Sequence, residues 1–333
     1  MKKIAIGIDI GGINTAVGVA DNEGNIYAEL VVSTKKYPYV GDYPAYVAAL
    51  CEAIRTVMNG LSFDFTLAGI GIGAPNANYH AGTIEAPANL WKFTDDDTDR
   101  EESRRIFHLA DDIRCQFPDT PVFVTNDANA ATIGEMVYGN AKGMKDFIMI
   151  TLGTGLGSGF VSNGELIYGH DGFAGEFGHI IVERNGRQCG CGRRGCLETY
   201  VSATGIKRTA FELMATMTPP SELRNIPFSE FDSAMISTAY DKGDPIAKEA
   251  FRITGEMLGR ALADAVTITS PKAIFLFGGL AKAGEKLFEP TRRYMEENML
   301  FVFKDKVKLQ PSGIEGKNAA IMGASALVWQ KVE

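Results

Sequence analysis

The sequence has no long hydrophobic run; no apolar stretch approaches the roughly 20 residues that a membrane-spanning helix needs. It also lacks a basic balance. Lys and Arg number 33 against 41 Asp and Glu, a formal charge of −8, which argues against a nucleic-acid partner because such a partner wants a basic face. The Walker pattern G-x-x-x-x-G-K-[ST] is absent, which excludes that phosphate loop. The opening MKKIAIGIDIGG has two lysines but no extended apolar core or small-residue cleavage site. It reads as a first β-strand, and the chain is expected in the cytoplasm. Cysteine is scarce, five in 333 residues, and three of them fall within residues 189–196. An odd count clustered so tightly fits a metal site in a reducing compartment better than a disulfide framework. Cys51 and Cys115 read as plain buried thiols.

Glycine, by contrast, is plentiful at 37 residues, many of them in short clusters that suggest tight turns and close approach of backbone to a ligand. At 333 residues two domains are the natural expectation. Strands are expected at Ile4–Ile10, Thr15–Ala20 and Asn25–Val32, joined as a meander with the turn Asp21-Asn22-Glu23-Gly24 between the last two. A helix over 43–59 follows from the spacing of Tyr46, Leu50, Ile54 and Val57, and a buried strand over Leu67–Ile72. The charge-rich residues 95–105 suggest the start of a solvated helix running toward Phe117. Val122–Thr125 then reads as a strand and Ala128–Val137 as a helix. Phe147–Leu152, a glycine turn and Gly159–Ser162 repeat the opening pattern, so the two halves are expected to begin alike. A peripheral helical insertion is expected over 215–245, a long helix over 247–268, a strand at Ala273–Phe277 and a final apolar helix from Ala319.

Four constellations carry chemistry. Asp9-Ile10-Gly11-Gly12 ends a strand with a carboxylate and two glycines, so backbone N–H groups can face a phosphate while Asp9 holds Mg²⁺ through water; an ordinary tight hairpin has the same pattern. Gly153-Thr154-Gly155 lies between two strands, where a dinucleotide fingerprint would demand a helix. A phosphate turn is the better reading, with a structural hairpin as the alternative. Thr125-Asn126-Asp127 brings Asp127 from a strand to a helix start. Asn and Asp are also favoured helix caps, but the carboxyl ends of strands are where open α/β sheets bind ligands. The most specific set is His179, Cys189, Cys191 and Cys196, three thiolates and an imidazole that complete a tetrahedral zinc shell. With every position filled by protein, such a metal has a structural role.

Together these residues resemble the ROK family of bacterial sugar kinases over nearly the whole chain. The resemblance includes the three glycine turns, Asn126-Asp127, the Glu176/His179 pair and the cysteine cluster followed by Glu198. It implies an α/β protein of the two-domain actin-like (ribonuclease H-like) ATPase fold, with a cleft between domains and a structural zinc site. The expected parts are an N-terminal α/β domain over 1–122, a C-terminal α/β domain with the zinc segment over 123–318, and a helix at 319–333 packing back on the first. It further implies an ATP-dependent hexose kinase that uses Mg²⁺ and usually forms a homodimer. Asp127 would take the proton of the attacking sugar hydroxyl. Asn89, Asn126, Glu176, His179 and Glu198 would hold the sugar. Asp9, Gly11, Gly12, Gly153, Thr154 and Gly155 would face the phosphates and Gly278-Gly279 the adenosine. Where the family usually has Thr and often Lys after Gly-Gly, this chain has Ile13 and Asn14, which leaves Thr15 as the candidate hydroxyl for phosphate.

Glucose is the first-choice hexose, because Glu176, His179 and Glu198 offer several acceptors for equatorial hydroxyls. Mannose, fructose, allose, N-acetylglucosamine and N-acetylmannosamine use similar groups. A sugar-responsive repressor is the reading from another class. It is disfavoured by a first strand that begins at Ile4, with no DNA-binding segment before it, and by an intact Asp127. A non-catalytic sugar-binding module is the third.

Overall fold

The computed structural model describes residues 1–87, 89–97, 100–101, 105–314, 316 and 319–332. The chain divides into two compact units. The first comprises Met1–Gly143, Leu166–Ala174 and Gly313–Glu333, and the second Met144–Glu165 and Gly175–Ser312.

In the first unit, β1 (Lys2–Ile10), β2 (Thr15–Ala20) and β3 (Ile26–Val32) form the expected meander, followed by α1 (Tyr43–Asn59) and β4 (Phe65–Ala74). A small three-stranded sheet of β5 (Ala77–Asn78), β6 (Thr83–Glu85) and β7 (Ile106–Phe107) precedes α2 (Leu109–Arg114), β8 (Val122–Asn126) and α3 (Asp127–Val137). The main sheet has the order β3-β2-β1-β4-β8. The three-strand meander is antiparallel, and β4 runs parallel to both β1 and β8. Ile4, Ile6 and Ile8 are fully buried, and so is Ala5 on the opposite face. Burial on both faces makes β1 a continuous apolar run.

The second unit repeats this plan with β9 (Phe147–Leu152), β10 (Leu156–Ser162), β11 (Glu165–Leu166), β12 (Ala273–Phe277) and β13 (Lys308–Pro311), in the order β11-β10-β9-β12-β13. Again the first pair is antiparallel and the later pairs are parallel. Its helices are α4 (Ala203–Thr216), α5 (Ser233–Asp241), α6 (Pro245–Thr269) and α7 (Glu285–Asn298). The start of α6 is set by sequence: Asp244 accepts the N–H groups of Ile246 and Ala247, and Pro245 occupies the first turn, where a missing N–H costs nothing.

The last helix, α8 (Ala319–Val332), returns to the first unit and lies across β1 and β4. Two glycines permit this contact. A methyl at Gly7 would sit 2.1 Å from the Ile321 carbonyl oxygen, and one at Gly71 would sit 2.0 Å from that of Ala324. The backbones therefore meet where any side chain would separate them.

Four expectations differ from what is found. The boundary expected at 122/123 cuts through a sheet, because β8 pairs with β4 from Ile70↔Val122 to Ala74↔Asn126. The crossing to the second unit falls at Gly143/Met144. The helix expected to open over 95–105 is not found among the described residues; Asp95 and Asp96 form a turn and the helix begins at Leu109, while 98, 99 and 102–104 lie outside the described residues. The strand expected from Gly159 starts at Leu156, because the turn before it is only three residues long. Cys115 is exposed, since it follows the last residue of a short helix, whereas Cys51 is buried.

Candidate active site

In the first unit two carboxylates converge. Asp9 lies one residue from the end of β1 and Asp127 opens α3. Between them lies Gly73 of β4, where an added Cβ would stand 3.6 Å from the Asp127 Cα and 3.9 Å from an Asp9 carboxylate oxygen. Burial, and then the neighbouring Asp127 charge, push the Asp9 carboxyl up to about 6. Asp127 keeps an exposed surface, yet loss of hydration among the surrounding atoms raises its carboxyl above the usual range, opposed by the Ala128 N–H at 2.8 Å. Two neighbouring carboxylates raised by lost hydration, one of them also by the other's charge, are suited to a bound cation and to a proton acceptor. Asn126 caps α3, its side-chain oxygen accepting the Ala128 N–H at 2.9 Å. The two side chains share that N–H, and Asp127 stays exposed.

Gly11 and Gly12 form a turn closed by Gly11 N–H to the Asn14 carbonyl (3.0 Å). A methyl at Gly12 would lie 3.3 Å from the Cβ of Asn89, so the first glycine turn abuts the loop that carries Asn89, which is exposed. Thr15 does not replace the missing phosphate hydroxyl. It is fully buried, with its oxygen hydrogen-bonded to Thr34 (2.8 Å) and Tyr46 (2.7 Å). The cause is register: Ile13 and Asn14 are exposed in the turn, and position 15 is the first inward residue of β2.

In the second unit Gly153 and Thr154 are exposed in a turn closed by Gly153 N–H to the Gly155 carbonyl (3.0 Å). Nothing lies within 4 Å of where side chains would start at Gly153 and Gly279, which leaves open backbone for a ligand. Gly278, at φ 102°, turns against the end of β9, and Leu280 N–H donates to Leu152 O at 3.1 Å, so both glycine turns share one sheet edge. Glu198 joins this edge to the cysteine cluster. One of its oxygens accepts the Leu156 N–H at 3.0 Å, and the other lies 3.9 Å from the Cys189 sulfur.

The ligand atoms of His179, Cys189, Cys191 and Cys196 all lie within 4.8 Å of one another. The Cys191–Cys196 sulfurs are 3.6 Å apart, and Cys189 Sγ is 3.7 Å from His179 Nδ1. Tetrahedral zinc with sulfur at about 2.3 Å sets its ligands about 3.7 Å apart, so the residues fit that ion. His179 Nε2 points away from the sulfurs, 4.0 Å from a carboxylate oxygen of the exposed Glu176. A metal on Nδ1 would therefore fix the ring and leave Nε2 for a ligand. Sequence reasoning passed over Arg187. Its guanidinium donates to Thr199 O (2.7 Å), Gly205 O (3.2 Å), Thr209 Oγ1 (3.0 Å) and the Glu212 carboxylate (3.0 Å from Nε), holding the metal loop to α4. Nothing in the local pattern marks it, because its partners, Thr199 and three residues of α4, lie 12 to 25 residues further along the chain.

Two mixed sheets of one strand order, each edged by glycine turns, define the actin-like sugar-kinase fold. The chain belongs to the ROK family, whose match covers residues 5–331. It is 34% identical over 297 residues to a glucokinase of Streptomyces coelicolor, which spans 87% of this chain and 86% of that one. Among solved structures, a ROK family glucokinase from Streptomyces griseus in complex with glucose and AMPPNP superposes with a TM-score of 0.76. It shares 31% identity and covers 98% of this chain and 99% of that one. The Escherichia coli DNA-binding transcriptional dual regulator NagC is 29% identical over 206 residues, 62% of this chain and 49% of its own. Among the described residues, no helix is long and apolar enough to cross a membrane.

Proposed function

We propose that the protein is an ATP-dependent hexose kinase acting on glucose, with Asp127 as the general base. The observation that supports this most directly is the Asp9–Asp127 pair. Lost hydration at both, and the Asp127 charge beside Asp9, suit one carboxylate to a cation and the other to a sugar hydroxyl. The likeness to glucokinases over most of the chain agrees, and a regulator needs no such pair.

Phosphoryl transfer is mainly a matter of position and charge. The N–H groups of the Gly11-Gly12 and Gly153–Gly155 turns would hold the phosphates, and Gly278-Gly279 would border the adenosine. Asp9 would hold Mg²⁺ through water, and that ion would neutralise charge developing on the phosphates. Asn89, Asn126, Glu176, His179 and Glu198 would hold the sugar hydroxyls. Asp127 accepts the proton late, as the new O–P bond forms, so a carboxylate suffices. Zinc on His179, Cys189, Cys191 and Cys196 would have no open position for water and would serve to orient His179 Nε2 and, through Cys196 two residues before it, the Glu198 turn.

The test is ADP release measured over a panel of glucose, mannose, fructose, allose and the two N-acetylhexosamines, with and without a zinc chelator. Release with glucose that exceeds every other sugar, and that weakens after chelation, is the expected result. Absence of release with every sugar would refute the kinase reading.

A further inference from the structure

The loop that carries Asn89 is held in an unusual way. It is bracketed by two residues that are not glycine yet adopt left-handed backbone, Ala86 at φ 41° and Trp91 at φ 43°. A bulky residue in that region is a clear outlier, and such outliers persist only where the surroundings over-determine them. The surroundings here are identifiable. Trp91 is completely buried, with its ring against Phe107 (4.5 Å), Tyr43 (4.9 Å) and Tyr46 (5.3 Å). The next residue, Lys92, is tied to a neighbouring segment by its N–H to Pro38 O (2.8 Å) and by Val40 N–H to its carbonyl (3.0 Å). At the other end the Ala86 N–H donates to Arg105 O (2.8 Å), and Asn76 donates to Ala86 O (3.3 Å).

One side chain meets the carbonyls of Pro87, Leu90 and Trp91. Arg105 Nε donates to Trp91 O (3.3 Å), and its Nη2 donates to Leu90 O (3.4 Å) and, at short range, to Pro87 O. A planar guanidinium holds several carbonyls in one fixed fork, whereas the three donors of an ammonium rotate on a flexible stem. Asn89 is left exposed at the tip, against Gly12 of the first glycine turn.

We propose that Arg105 is a positioning residue for the sugar: by clamping the loop over 86–91 it presents Asn89 in one pose beside the phosphate turn, so the loop need not be ordered when substrate binds. This rests on the hexose-kinase reading above, in which Asn89 contacts the sugar. A preordered loop lowers the entropy lost on binding, so the effect belongs in sugar affinity and not in the chemical step.

The experiment compares wild type with Arg105→Met, Arg105→Lys, Asn89→Ala and the Met/Ala double variant. Readouts are glucose KM, MgATP KM and kcat, together with amide hydrogen exchange over 86–91. Arg105→Met is expected to raise glucose KM by about tenfold to a hundredfold, with kcat and MgATP KM within about twofold of wild type. Arg105→Lys should fall between. The double variant should be no worse than the weaker-binding single variant, since both act through one contact. Exchange over 86–91 should rise in Arg105→Met while the rest of the first unit keeps its protection. An unchanged glucose KM, a kcat that falls in step with it, or additive single effects would overturn the proposal. Should wild type phosphorylate no hexose, the functional reading fails and the proposed link to sugar goes with it. Exchange then decides the clamp itself, which stands if the loop alone loosens and falls if it does not.

Discussion

Removing the charge of Asp9 should make the empty protein more stable while stopping its reaction. Asp9 is held at about 6 against an ordinary carboxyl value of 3.8, first by burial and then by Asp127. A carboxyl raised on folding favours the folded state fully only below its unfolded value. That contribution is lost as pH rises through the folded value, here between about pH 4 and pH 6. Above pH 6 the folded protein therefore carries an unfavourable charge. Each factor of ten in proton affinity is worth about 1.4 kcal/mol, so the upper bound is about 3 kcal/mol, and partial exposure of the site reduces it to about 1–3 kcal/mol. The Asp9→Asn variant should accordingly melt several degrees above wild type at pH 7.5, at about 2–4 °C per kcal/mol. The advantage should shrink to a small fraction near pH 4, where the wild-type carboxyl is neutral in the folded protein and about half ionised in the unfolded chain. Differential scanning calorimetry of both proteins without nucleotide, from pH 4 to 8, measures this directly. Equal melting at pH 7.5, or a gain that persists undiminished at pH 4, would refute the reasoning that the pair stores electrostatic strain for a cation.

Three other outcomes follow from the same geometry. Asp127→Asn keeps the size of the side chain and its neighbour Asn126 still caps α3, so glucose binding by calorimetry should survive while kcat falls about 10²–10⁴-fold; near-normal turnover would remove Asp127 as the base. Cys191→Ser should release bound zinc, read by metal analysis, and raise glucose KM more than MgATP KM, because the cluster orients His179 and Glu198. Gly155→Ala would press a methyl against the Glu198 carboxylate oxygen and displace it, so a change in the phosphate turn should raise the KM for sugar by about tenfold or more; an effect on MgATP KM alone would show that the two are not linked through Glu198.

The contrast between Thr15 and Asp127 shows how far one-dimensional reading extends. Thr15 stands after a glycine turn and Asp127 at the end of a strand, but the alternation of β2 faces Thr15 inward to Thr34 and Tyr46, while Asp127 opens α3 and stays exposed. Strand periodicity was visible, but its phase after an exposed turn was not. Among the described residues of 95–105 the expected helix is absent for a related reason: charge describes solvent exposure and carries no helical period of its own.

By itself the sequence determined that the two halves begin with the same strand, glycine turn and strand, because each glycine turn and each apolar run is a local matter of backbone freedom and side-chain size. It also determined the tetrahedral ligand set, since C-x-C-x₄-C crowds three sulfurs whatever the surroundings. Only tertiary structure decided that β8 belongs with β4, that Gly73 brings Asp9 and Asp127 together, and that Arg105 meets the carbonyls beside Asn89. Those contacts join residues far apart in the chain, and no local propensity encodes which distant carbonyl or carboxylate a side chain will meet once the core has closed.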